Sequence, residues 1–84
     1  MLEKKTQDMF LEVVRNPTAL LQTRWGPRTL TRREQLIIGL LATGRSYEEV
    51  GQHFDVIASR VKDIANKVRR SILYTKRLQE QRTS

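Results

Sequence analysis

Side chains able to contact nucleic acid are concentrated in the last third of this chain. Residues 58–84 carry eight basic and two acidic side chains, whereas residues 1–57 carry eight basic and seven acidic ones. A basic stripe on one element is the electrostatic pattern expected of a surface that binds a polyanion. A solvated face that keeps the protein soluble gives the same pattern, so charge alone leaves both interpretations open.

The apolar residues of this segment predict that its charges lie on a helix. One stripe at helical spacing is formed by Val61, Ile64, Ala65, Val68 and Ile72. Because an α-helix turns once every 3.6 residues, the opposite side of the same helix can be assigned. This outer arc consists of Ser59, Lys62, Asp63, Asn66 and Arg70.

The outer arc carries side chains suited to the edges of DNA bases. Asn66 can pair through two hydrogen bonds with adenine, and Lys62 or Arg70 can reach guanine. Contact with phosphates alone is the alternative. Asp63 leaves three interpretations open: it accepts a hydrogen bond from a cytosine amine, it pairs with Lys67 one turn away, or it repels DNA. The predicted DNA-contacting residues are Arg45, Ser46, Tyr47, Ser59, Arg60, Lys62, Asp63, Asn66, Lys67, Arg69 and Arg70.

Three further helices are predicted ahead of this one, which begins between Ile57 and Ser59. The first covers about residues 2–15 and ends at Asn16-Pro17, because the residue before proline is disfavoured in a helix. Residues 16–30 are predicted to be a connector, in which Ala19–Leu21 could add a helical turn and Gly26-Pro27 breaks the chain.

Two capping boxes mark the starts of the second and third helices. Thr31 with Glu34, and Ser46 with Glu49, can each satisfy two backbone amides that have no partner within the helix. Gly44 suits the end of the second helix. The chain is therefore predicted to be one all-α domain of four helices over residues 1–84, with its core and C-terminal helix in 31–78 and a frayed tail at 79–84.

A short third helix, a tight turn and a longer basic helix form the pattern of a helix-turn-helix. Two such helices cross steeply, so their backbones must approach closely, and Gly51 lets them meet without a side chain between them. In this motif the outer face of the longer basic helix, the fourth helix of this chain, enters the major groove of DNA. At the start of the third helix, Arg45, Ser46 and Tyr47 either hold a phosphate or serve only to cap and pack.

The residues themselves resemble a family. The run Ser46-Tyr47-Glu48-Glu49-Val50-Gly51-Gln52-His53-Phe54-Asp55-Val56 is similar to region four of primary bacterial sigma factors. Leu30–Glu34 resembles the opening of that region, and Arg60–Ile64 with Arg69-Arg70 resembles its recognition helix and basic tail. Output domains of response regulators are similar more loosely. The resemblance covers about residues 30–73. It implies a tri- or tetrahelical DNA-binding domain that recognises the upstream promoter element and touches the RNA polymerase flap.

Departures from the family pattern fall on the recognition helix. Ile57 stands where the family has a capping serine or threonine, so Ser59 is expected to cap a shorter helix instead. Ala58 and Ser59 occupy positions of arginine and glutamate, and Lys62 and Asp63 occupy positions of arginine and glutamine. Those are the family's base-contacting positions, so we expect this chain not to recognise the usual promoter element.

The remaining residues give no sign of catalysis. The chain has no cysteine and one histidine, His53, which is expected at the surface, so no metal or other cofactor is predicted and an enzyme is disfavoured. No apolar run approaches the roughly 20 residues needed to cross a bilayer, and the apolar stripe of the last helix is needed by the core, so no membrane partner is expected. The absence of cysteine fits a cytoplasmic location. Trp25 either packs the first helix onto the core or anchors a protein partner.

Two hypotheses for function follow. The first is a transcription regulator that binds double-stranded DNA through residues 58–70 as a homodimer, with Leu73, Tyr74 and Leu78 near the two-fold axis. The second is a protein-interaction module that binds RNA polymerase or a sigma factor through a sigma-like fold. The basic C-terminal segment favours the first hypothesis, whereas Asp63 and Ala58 favour the second.

Overall fold

The computed structural model describes residues 3–16 and 18–83, and side chains through residue 81. In this part of the chain four helices and two short strands follow one another. Their order is α1 (Lys4–Arg15), β1 (Leu21–Thr23), β2 (Gly26–Arg28), α2 (Arg32–Ala42), α3 (Tyr47–Phe54) and α4 (Ala58–Thr83). The helices agree with the prediction in number and order, but the strands correct it. The domain is largely helical rather than all-α.

The two strands form an antiparallel hairpin, residues 21–28, within the predicted connector. Leu21 pairs with Arg28 and Thr23 with Gly26. The Thr23 hydroxyl donates to the Gly26 carbonyl at 2.7 Å and accepts from the Trp25 N–H at 3.1 Å. Gly26 has a φ of 111°, which side chains rarely permit. The helical turn considered for Ala19–Leu21 is therefore wrong, because local hydrogen bonds at Thr23 close a turn and extend the chain on both sides.

Both predicted caps are present, although only one is a complete capping box. At the start of α2 the Glu34 N–H donates to the Thr31 hydroxyl at 3.2 Å, and the Thr31 N–H donates to the Glu34 carboxylate at 2.9 Å. At the start of α3 the Glu49 N–H donates to the Ser46 hydroxyl at 3.1 Å. The Glu49 carboxylate accepts from that same hydroxyl at 3.3 Å, instead of from the Ser46 backbone.

A single core collects side chains from the helices and from the hairpin. Its largest fully buried side chains come from all four helices, and each contributes about 1.5–3 kcal/mol by leaving water. They are Phe10, Ile37, Ile38, Leu41, Val50, Val61 and Val68. Leu21 of β1 is also buried. The hairpin is therefore part of the domain core and is not a free loop.

The last helix continues further than predicted. α4 is helical from Ala58 through Thr83, a length of about 39 Å. Residues 58–84 contain neither glycine nor proline, so no residue there stops the helix. Lys76 also pairs with Glu12 of α1 at 3.6 Å. The tail predicted to fray at 79–84 is thus helical as far as Thr83, and Ser84 lies outside the described residues.

Candidate nucleic-acid interface

A tight connection brings α3 and α4 into close contact. Asp55 ends α3 with a φ of 57°, in the left-handed region. The Val56 N–H then donates to the Gly51 carbonyl at 2.8 Å. A Cβ atom on Gly51 would lie 2.5 Å from the Val56 carbonyl oxygen. Gly51 thus allows the approach that the sequence predicted for it.

α4 begins without a side-chain cap. The Ile57 carbonyl accepts from the N–H groups of Arg60 at 3.0 Å and Val61 at 3.3 Å, so Ile57 holds the N-cap position. The prediction that Ser59 caps a shorter helix is therefore wrong, and Ser59 lies within the first turn. The Ile57 residue is 73% exposed.

The two sides of α4 differ as predicted. Its inner stripe is buried at Val61, Ala65, Val68 and Ile72, and Ile64 is half-buried. On the outer side Asn66 is half-buried, and the other predicted contact residues are exposed. These are Ser59, Arg60, Lys62, Asp63, Lys67, Arg69 and Arg70. The ion pairs of the described residues include none of them. The positive charge of this face is consequently not neutralised within that part of the chain.

Asp63 is the single acidic residue of the outer arc. The described residues show no ion pair between Asp63 and Lys67, so of the three interpretations of Asp63 the pairing with Lys67 is removed. Asp63 is exposed and lines a groove together with Lys67 and Arg70. Its carboxylate is thus available as a hydrogen-bond acceptor next to two cations.

The three predicted residues at the start of α3 take different roles. Ser46 is engaged in its cap, and Tyr47 is half-buried against the core. Arg45 lies 3.9 Å from Glu49, and both side chains are more than half exposed. Exposed pairs of this kind contribute at most about 1 kcal/mol, so Arg45 can exchange its partner easily. Arg45 is therefore the member of this group that is open to an anion.

The hairpin, which carries Trp25 in its turn, was not predicted from the sequence. Trp25 is 93% exposed, so the prediction that it packs the first helix onto the core is wrong. Arg24 and Trp25 form the turn between the strands, and a side chain at the tip of a hairpin extends away from the core. The sequence contained one sign of this turn, Thr23 followed three residues later by Gly26 and then by Pro27.

The hairpin and the outer side of α4 border an open groove of about 920 Å³, called here the hairpin groove. From the hairpin it is lined by residues 22–28. From α4 it is lined by Asp63, Lys67, Arg70, Ser71, Leu73, Tyr74 and Arg77. Part of the outer arc and the hairpin thus face a common space.

The three residues predicted at a dimer axis lie on the distal half of α4. Leu73 is 39% exposed, Tyr74 is 40% exposed and Leu78 is half-buried. Leu73 and Tyr74 also line the hairpin groove. These side chains offer a small apolar surface beside a basic one.

Comparisons of the chain with family models, curated proteins and solved structures find no match. No described helix, the 26-residue α4 included, combines the length and the apolar character that spanning a membrane would require.

Proposed function

We propose that this protein is a DNA-binding transcription regulator. In this proposal α3, Asp55–Ile57 and α4 act as a helix-turn-helix, and residues 58–70 of α4 enter the major groove. The observation that carries the proposal is the outer side of α4, a basic face with no ion pairs among the described residues, opposite a largely buried stripe. Such a face is free to contact DNA without disturbing the core.

Size and charge are compatible with this placement. A helix with its side chains is about 10–12 Å wide, and the major groove of B-DNA is about 12 Å wide. Arg60, Lys67 and Arg69 would contact phosphates, which supply most of the affinity. Lys62, Asn66 and Arg70 would contact base edges. In this arrangement Asp63 accepts from a cytosine amine, because a cytosine amine is the base group that a carboxylate recognises.

The resemblance to region four of sigma factors supports the same function with a different target. The residues that resemble the family lie in α2, α3 and α4 and in the segments that directly precede or connect these helices. The family's base-contacting positions are changed at Ala58, Ser59, Lys62 and Asp63. We therefore propose a recognition sequence other than the usual promoter element. One recognition helix covers few base pairs, so we further propose a homodimer that uses Leu73, Tyr74 and Leu78.

A protein-interaction module is the second candidate function. Its partner would be RNA polymerase or a sigma factor. Two observations favour it: Ile57 is 73% exposed beside the start of α4, and Asp63 places a negative charge on the face that would meet DNA. If the protein serves only as such a module, it should bind RNA polymerase or a sigma factor and show no measurable affinity for DNA.

Selection of binding sites from random duplex DNA, followed by two variants, tests the leading proposal. Asn66→Ala should lose about 1–3 kcal/mol of binding free energy on the selected site and relax the preference at one base pair. Arg69→Ala should weaken selected and random duplexes about equally, because a phosphate contact carries no sequence information. Equal losses on both duplexes for Asn66→Ala would show that this residue contacts no base. Failure to enrich any sequence would contradict sequence-specific binding.

A further inference from the structure

We propose that the β-hairpin is a second DNA-contacting element, and that the hairpin groove receives one sugar-phosphate strand flanking the site occupied by α4. Arg24, Lys67, Arg70 and Arg77 would contact its phosphates, and Trp25 would pack against its sugars or an adjoining base. This inference rests on the function proposed above and extends it from one helix to two elements.

The first observation is the exposure of Trp25 on an ordered turn. Tryptophan gains more than most side chains from leaving water, yet this residue is 93% exposed. The turn that carries it is closed by two hydrogen bonds of the Thr23 hydroxyl, at 2.7 and 3.1 Å. A large aromatic side chain carried outside the core on a hydrogen-bonded turn is suited to a partner that covers it on binding.

The second observation is the attachment of the hairpin at both strands. In β1 the Gln22 N–H donates to the Thr75 hydroxyl of α4 at 2.8 Å, and that hydroxyl donates to the Ser71 carbonyl at 2.7 Å. In β2 Arg28 pairs with Glu34 in the first turn of α2. The hairpin therefore keeps its position relative to the outer side of α4. Little conformational entropy would then be lost when the hairpin and α4 contact one ligand.

The third observation is the charge of the hairpin groove. Asp63 is its one acidic lining residue, and the charge of Arg28 is neutralised by Glu34. The other cations that line it have no ion pair within the described residues. They are Arg24, Lys67, Arg70 and Arg77. Four cations beside Trp25 are suited to a sugar-phosphate strand, which presents phosphates to the cations and sugars to the indole ring.

The continuity of the groove with the outer arc identifies the occupant. Asp63 and Arg70 of the outer arc line the groove, as does Lys67, another predicted contact residue on the exposed side of α4, so one duplex engaged by α4 also passes the hairpin groove. An acidic protein would match the charge but has no reason to share these three residues. We therefore assign the groove to the strand that borders the major-groove site.

The test compares two hairpin variants with two matched controls on a duplex longer than the α4 site. Trp25→Ala should weaken binding by about fivefold or more, because the apolar contact that covers the indole on binding would be lost. Arg24→Ala should weaken binding to all sequences and reduce the salt slope by about one. Arg15→Ala removes an exposed cation of α1, and Leu36→Ala removes an exposed apolar side chain of α2. Neither residue lines the groove, so both variants should bind as the wild type does.

A second readout comes from the protein itself, because Trp25 is its one tryptophan. DNA should quench or shift the indole emission of the wild type. Wild-type binding with unchanged emission, together with unchanged affinity in both hairpin variants, would overturn the inference and leave the function of α4 intact. Loss of polymerase binding in Trp25→Ala with full DNA affinity would overturn it in favour of a protein partner. Absence of wild-type DNA binding at low salt would overturn both proposals.

Discussion

The Val56 carbonyl oxygen lies 2.5 Å from the position that a Cβ atom on Gly51 would occupy, and the Val56 N–H donates to the Gly51 carbonyl at 2.8 Å. The backbone of α3 at Gly51 is therefore packed directly against the backbone of the connection that leads into α4. A Cβ atom on Gly51 would force the Val56 carbonyl to move, and this main-chain group has little freedom to do so. The angle at which α4 leaves the core depends on this contact.

Gly51→Ala should lower the free energy of unfolding by about 1–3 kcal/mol, the usual cost of overpacking a tight contact. Gly39→Ala is the matched control within α2. Its Cβ would lie 3.9 Å from the nearest atom, Cγ2 of Val14, and alanine in a helix interior gains about 0.5–1 kcal/mol over glycine. Urea unfolding followed by circular dichroism measures both. A Gly51→Ala protein as stable as the wild type would contradict the packing described here.

Acid should destabilise the domain through Glu34, which joins the hairpin to α2. Burial by itself raises the pKa of Glu34, but the Thr31 N–H and the Arg28 guanidinium outweigh this, and the pKa lies below its ordinary value of 4.5. A carboxyl whose pKa is lowered by folding stabilises the protein above its unfolded pKa, and that contribution is lost as pH falls through the folded value. Stability should therefore fall from near pH 4.5 downward.

Glu34→Gln should reduce this acid dependence and lower the melting temperature at neutral pH. Asp8→Asn, which neutralises an exposed carboxylate of α1, should change stability at neutral pH by no more than about 0.5 kcal/mol. Thermal unfolding at several pH values measures both effects. A Glu34→Gln protein with the stability and the pH profile of the wild type would show that the Arg28–Glu34 pair contributes nothing.

The proposed homodimer predicts a strong effect of a charge at Leu73. Leu73→Asp should abolish association, either free or on DNA, because it buries a carboxylate in an apolar contact. Leu11→Asp is a matched control, since Leu11 of α1 is similarly exposed, at 36% against 39% for Leu73. Sedimentation of both variants and the wild type measures their mass. A wild type that is monomeric alone and on DNA would reject the dimer.

Helices were predictable here because each carries its own local signal. The stripe at Val61, Ala65, Val68 and Ile72 repeats at helical spacing over several turns, and Thr31 and Ser46 mark the starts of α2 and α3. The hairpin gives no comparable signal, because strands of three residues are too short to show an alternating pattern. Its fixed position depends on the bond between Gln22 and Thr75, which are 53 residues apart.

The candidate interface was predictable to the extent that it lies on α4. The outer arc follows from the helical period, and its exposed cations were all assigned from sequence. Of the two roles considered for Trp25, packing on the core is wrong; it was considered because an aromatic residue in a small domain is usually needed by the core. Ser59 was assigned a capping role because serine caps better than isoleucine, yet the contact at Gly51 fixes the start of the helix at Ala58.

Titration of duplex DNA with the protein at several salt concentrations tests most directly whether α4 is a DNA-binding surface. About 4–7 phosphate contacts predict that log affinity falls with log salt at a slope near −4 to −6. Fluorescence anisotropy of a labelled duplex gives this slope. Binding at low salt with that slope is the predicted result, and no detectable binding at low salt would contradict the proposed function.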